Sequence, residues 1–126
     1  MPTIEVSEET FEKIKDQLTV DVKPTAKERD GMRYCIIRTY SAGVFAGYIN
    51  TTTIDKKCGT VYNSRRIWYW KGAATLSQLA VDGTSKPDEC KFPCEVEEKI
   101  LTEIIEVIPC TQKSFDSIRA VKTWKS

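Results

Sequence analysis

Three short stretches hold the residue types that could do chemistry. Arg38-Thr39-Tyr40-Ser41-Ala42-Gly43 places a guanidinium, a phenol and a hydroxyl beside residues small enough to let a ligand approach the backbone. Arg65-Arg66-Ile67-Trp68-Tyr69-Trp70 interleaves two cations with three aromatic rings. On a strand, adjacent arginines project to opposite faces, so at most one of Arg65 and Arg66 reaches a given pocket, and Trp68 shares the face of Arg66. Cys90-Lys91-Phe92-Pro93-Cys94 sets Phe92 in a loop without apolar periodicity, placed to close over a flat ligand or to tuck into the edge of the core. Arg119, four residues beyond Phe115, borders the buried side of a helix and can reach a pocket mouth. Guanidinium forks pair with phosphate oxygens, and aromatic faces stack on bases. The same residues also describe a hairpin corner, an aromatic core and snorkelling rim arginines, and spacing alone leaves both readings open.

The composition narrows the chemistry. The 126 residues contain no histidine, which removes the commonest general base and the commonest metal ligand. Glu95, Glu97, Glu98, Glu103 and Glu106 have no spacing that specifies a carboxylate pair, and a solvated strand edge accounts for them. Cys90 and Cys94 supply two of the four ligands of a structural zinc site, with no histidine to complete it, so neither metal nor cofactor is expected. The five cysteines, at 35, 58, 90, 94 and 110, are odd in number and partly set in apolar runs, which suits reduced thiols better than a disulfide framework. Net charge is +1, yet the segment between Gly31 and Gly72 holds seven basic residues and one acid, with eight of the twelve aromatics. That distribution suits a ligand with phosphates and bases.

The elements that position these residues follow from periodicity. Ser7 caps a first helix, with Val6 and Phe11 as a hydrophobic staple and Phe11, Ile14 and Leu18 as its stripe. A loop runs from Pro24 to Gly31. Strands are expected at Arg33–Tyr40 and Val44–Asn50, joined as a hairpin at Gly43, then at Gly59–Tyr62 and Arg65–Lys71. Thr75 caps a short middle helix, and Lys99–Ile108 reads as one long strand stopped by Pro109. Thr111 caps a last helix whose buried side carries Phe115, Ile118 and Val121. The order predicts an α+β fold: an antiparallel sheet of about five strands with an N-terminal, a short middle and a C-terminal helix. The chain has the length of one domain, a helix and loop over 1–30 and a sheet-based body over 31–126. No run of about 18 apolar residues exists and the N-terminus lacks the pattern of a signal peptide, so a cytoplasmic protein without a membrane partner is expected. An N-terminal strand and capped helix also open ribbon-helix-helix DNA-binding proteins. Here, however, Ile4-Glu5-Val6 is acidic and the Pro24 loop follows, so no nucleic acid polymer is expected as partner.

RTYSAGVFAGY, SRRIWYWKGAATLSQLA and ILTEIIEVIPCT, with a late tryptophan, resemble a family of small phage proteins that includes the first Thoeris anti-defence proteins. The resemblance covers roughly residues 33 to 124. It implies a non-enzymatic sponge that binds cyclic ADP-ribose-type signals made by bacterial TIR enzymes and holds them uncleaved. It further implies a homo-oligomer, a dimer or an assembly of dimers such as a hexamer, with pockets formed between subunits, and in some relatives separate sites for cyclic oligonucleotides. The residues expected at the ligand are Arg38, Arg66, Phe92 and Arg119, with Tyr40, Ser41, Arg65 and Trp68. Against this stand a nucleotide hydrolase using Glu103 or Glu106 as base, a DNA-binding phage regulator and a structural phage protein.

Overall fold

The computed structural model describes residues 24–125, and the expected N-terminal helix capped by Ser7 lies outside them. Five strands follow: β1 (Arg33–Thr39), β2 (Val44–Ile49), β3 (Gly59–Arg66), β4 (Glu95–Leu101) and β5 (Ile104–Pro109). A helix α1 (Leu76–Asp82) lies between β3 and β4, and α2 (Gln112–Ala120) follows β5. All strand pairs are antiparallel, in the order β4-β3-β2-β1-β5. Over the described residues this is the α+β, five-stranded antiparallel arrangement with a middle and a C-terminal helix that the periodicity predicts. Both helix starts are capped where expected. Thr75 Oγ1 accepts from the Gln78 N–H and Thr111 Oγ1 from the Ser114 N–H, each at 3.1 Å, which satisfies an otherwise orphaned donor.

The expected long strand from Lys99 to Ile108 is two strands. Leu101 pairs with Gly59 in β3 and Ile104 pairs with Thr39 in β1, on opposite edges of the sheet. The break falls at Thr102-Glu103, where Glu103 takes a left-handed φ of 57°. Neither glycine nor proline marks it, and the apolar run continues across it, so periodicity alone reads straight through.

This break shapes the fold. In a flat sheet the outer strands of five would lie ~19 Å apart, four spacings of ~4.8 Å. The link from Leu101 to Ile104 spans three Cα steps, at most ~11 Å. The sheet therefore curls toward a partly closed barrel. Hydrogen bonds from Tyr40 N–H to the Glu103 carbonyl and from Ile104 N–H to the Lys57 carbonyl, both 2.9 Å, hold the link against two neighbouring loops.

Curling gives the sheet two apolar faces. Cys35, Ile37, Phe45, Ile49, Val61, Leu101 and Ile104 fill one. Tyr34, Ile36, Ala46 and Tyr48, alternating with them along β1 and β2, pack on the other against Leu79 and Ala80 of α1, Ile118 of α2, and Ile67 and Phe92 from the loops. Tyr34 meets Tyr48 and Phe115 edge-on, at ring centroids of 5.2 and 4.7 Å.

The expected strands Gly59–Tyr62 and Arg65–Lys71 also differ from the structure. Gly59–Arg66 is one strand, carried through Asn63 at φ 51° with a register shift against β2. The shift inserts one residue and turns Arg65 toward the helices. Beyond Arg66 regular pairing fades: Ile67 N–H still donates to the Val44 carbonyl at 2.8 Å, and Tyr69 bridges Lys91.

Candidate ligand-binding face

The turn after β1 is tied by Thr39, whose N–H and Oγ1 both donate to the Gly43 carbonyl, at 3.0 and 2.8 Å. Gly43 takes a φ of 107°, a conformation that L side chains rarely adopt. A Cβ built there would stand 3.0 Å from Nη2 and 3.2 Å from Nε of Arg66. The Arg66 guanidinium therefore lies directly against the bare turn. It has no ion pair or hydrogen bond among the described residues and is exposed.

The neighbouring groups are differently occupied. Arg38 pairs with Glu106 at 3.5 Å, both half exposed. Ser41 Oγ donates to Glu103 Oε2 at 3.2 Å. Among the described residues Tyr40 is held only through its backbone, and it is 78% exposed. Hairpin geometry thus gathers Arg38, Tyr40, Ser41 and Arg66 at one end of the sheet. The link between β4 and β5 brings the two glutamates there, which is why a chain read in order does not associate them with the turn.

Two residues beyond Arg66, about 7 Å along extended chain, Trp68 begins an aromatic surface. Its ring stacks on Trp124 at 5.1 Å with 15° between planes. The Lys91 ammonium stands 5.6 Å from the Trp68 ring, 5.8 Å from Tyr69 and 5.7 Å from Trp124, within cation–π range of all three. Trp124 is carried on a strap along the Cys90–Cys94 loop: its N–H donates to the Phe92 carbonyl at 2.9 Å and Thr123 bridges Phe92. Beneath it opens a cavity of about 190 Å³ lined by Pro87, Asp88, Cys90, Lys122, Thr123 and Trp124.

Arg65, Phe92 and Arg119 belong elsewhere. Arg65 is 5% exposed and its guanidinium donates to the carbonyls of Pro93 (3.1 Å), Phe92 (3.2 Å) and Ile118 (2.8 Å). Burial presses its pKa below the ordinary arginine value, while Tyr34 and Glu95 act the other way. Phe92 is fully buried beneath that guanidinium, 5.5 Å from it, and so does not close over a surface ligand in this chain. Arg119 pairs with Glu95 at 3.4 Å and lies over Phe115. The loop phenylalanine is thus the anchor of a structural arginine, because its carbonyl serves both Arg65 and the Trp124 strap.

A larger open cavity, about 360 Å³, is lined by Asp30, Met32, Asn50, Thr53, Thr60 and Tyr62 and touches none of the expected residues. Lys91 and Trp124 are not among the residues that the sequence marks for the ligand. The signal was present, a tryptophan outside any helical stripe and a lysine between loop prolines and aromatics, but their meeting is long-range. All five cysteines are free thiols. Among the described residues no group of three or more Cys, Asp or Glu side chains is placed to hold a metal ion, and no helix is long and apolar enough to cross a membrane.

The family described as "Domain of unknown function (DUF6948)" matches residues 32–118, from the start of β1 into the last turns of α2. No curated protein and no solved structure matches the chain.

Proposed function

The chain belongs to the DUF6948 family, and we propose that this member binds and sequesters cyclic ADP-ribose-type signalling nucleotides without cleaving them, as a phage anti-defence protein blocking TIR-dependent Thoeris immunity in the host cytoplasm. The observation that carries the reading is Arg66: an exposed guanidinium, free of partners among the described residues, resting on the bare turn at Gly43, with exposed Tyr40 in the same turn and exposed Trp68 two residues along the chain. A planar fork with open donors and flanking π faces suits a pyrophosphate bearing a base. The motifs RTYSAGV and RRIWYWKGA, which carry the phage-protein resemblance, meet at this end of the fold.

The two carboxylates that a hydrolase would draw on are both engaged, Glu106 by Arg38 and Glu103 by Ser41, which supports capture over turnover. Tight capture needs more than one exposed cation. A nanomolar dissociation constant corresponds to about −12 kcal/mol, beyond what an open face delivers without desolvation. In this reading copies of the chain assemble, as a dimer or an assembly of dimers such as a hexamer, and the partner subunit closes the face. A second class of site for cyclic oligonucleotides is part of the same proposal. The test is incubation with cyclic ADP-ribose followed by heat denaturation. Intact ligand recovered in stoichiometric amount is the expected result, and a hydrolysed product, or no retained ligand, sinks the proposal.

A further inference from the structure

We infer that the C-terminal strap builds the base-recognition half of this face: Trp124, stacked on Trp68 around Lys91, is a platform for the purine of an adenine nucleotide. The inference rests on the sequestration reading and deepens it. Trp68, Tyr69 and Trp124 are 51%, 41% and 41% exposed. Three large rings left in water beside one another are costly for a core and characteristic of an interaction surface. Trp124 is fixed by its backbone bond to Phe92, which is itself clamped by Arg65, so the platform is held by the buried core rather than by its own stacking.

The charge around the platform selects the occupant. Lys91 stands at the centre of the three rings and Lys122 lines the adjoining cavity, so the surface favours an aromatic ligand that carries negative charge. Asp88, in the same cavity, can accept from an exocyclic amine, a group that adenine presents. At about 190 Å³ the cavity is smaller than the roughly 300–1,000 Å³ of whole-ligand pockets, so it takes one end of a ligand whose phosphates lie toward Arg66.

Cyclic ADP-ribose is titrated into the protein by calorimetry and, in parallel, by intrinsic tryptophan emission, with Trp124→Ala, Trp124→Phe, Lys91→Ala and Arg66→Ala compared. The inference expects quenching on binding, an affinity loss of about tenfold or more in Trp124→Ala, and substantial recovery in Trp124→Phe, whose ring still stacks. Trp124→Ala keeps the backbone bond to Phe92, and thermal melting verifies its fold. Should it fail to fold, Trp124→Phe and Lys91→Ala decide, the latter expected to bind several-fold more weakly. Calorimetric binding without a change in emission, or with wild-type affinity in the Trp124 and Lys91 variants, overturns the platform, while its loss in Arg66→Ala would leave sequestration standing. Absence of binding by both readouts overturns both.

Discussion

Arg65 and Ile118 stand 53 positions apart in the chain, yet the guanidinium Nη1 of one donates to the carbonyl of the other at 2.8 Å inside the core. The same side chain serves Phe92 and Pro93. One arginine therefore fastens β3, the end of α2 and the Cys90–Cys94 loop at a single point.

Replacing Arg65 by methionine keeps much of the stem and removes the guanidinium donor from the carbonyls of Pro93, Phe92 and Ile118, the last two of which still accept from the N–H groups of Trp124 and Val121. Loss of a buried charged donor costs on the order of 3 kcal/mol or more. Chemical denaturation of Arg65→Met is expected to show that loss. Arg65→Lys should fall between, because an ammonium cannot reproduce the fork. Wild-type stability in Arg65→Met would show that the clamp holds nothing.

Two glycines separate site from core. A Cβ at Gly47 would stand 2.5 Å from Val61 Cγ1 and 2.9 Å from the Tyr62 carbonyl, with no flexible end to yield. Gly47→Ala is expected to destabilise by about 1–3 kcal/mol. Gly43→Ala meets the mobile end of Arg66 and a φ of 107°, so it should cost about 1 kcal/mol of stability and also push the guanidinium off the turn. Denaturation midpoints and ligand affinity measured on both variants separate the two effects.

Arg38 and Arg66 share one end of the sheet but not one environment. Arg38 is exposed and paired with Glu106, so Arg38→Ala should change stability by less than about 1 kcal/mol. Arg66 has its donors open, and a charge-assisted bond to phosphate is worth roughly 1.5–3 kcal/mol. Arg66→Ala is expected to weaken cyclic ADP-ribose binding tenfold or more and Arg38→Ala less, read by calorimetry. The reverse order would move the ligand to the Arg38 side of the turn.

Burial raises the Cys35 thiol to about 11 and the Cys110 thiol to about 12, from an ordinary value near 8.5. Burial also raises Tyr34. Each of these groups holds its proton more tightly folded than unfolded. Their contribution is therefore fully present below the unfolded pKa and is lost as pH rises through the folded values. Urea midpoints are expected to be flat with respect to these groups up to about pH 8.5 and to fall from there toward pH 11. In thiol labelling at pH 8, exposed Cys94 should react first and Cys35 and Cys110 last.

Much of the fold was legible because its signals are local. Thr75 and Thr111 cap the helices that begin beside them, and the β1–β2 hairpin turns at Gly43. The alternation of Arg65 and Arg66 placed one inside and one outside, as strand geometry requires. The break at Glu103 was not legible, since no turn residue marks it and what separates β4 from β5 is the choice of opposite partners.

By itself the sequence determined the antiparallel sheet with its middle and C-terminal helices, the basic aromatic segment and the chemistry that a histidine-free chain must do without. Only the tertiary structure decided that Arg65 and Phe92 belong to the core, that Glu103 and Glu106 reach the hairpin end, and that Trp124 meets Trp68. Caps, turns and alternation act between residues a few positions apart and can be read along the chain. Burial and contact depend on which distant segments the curled sheet brings together, and no periodicity records that.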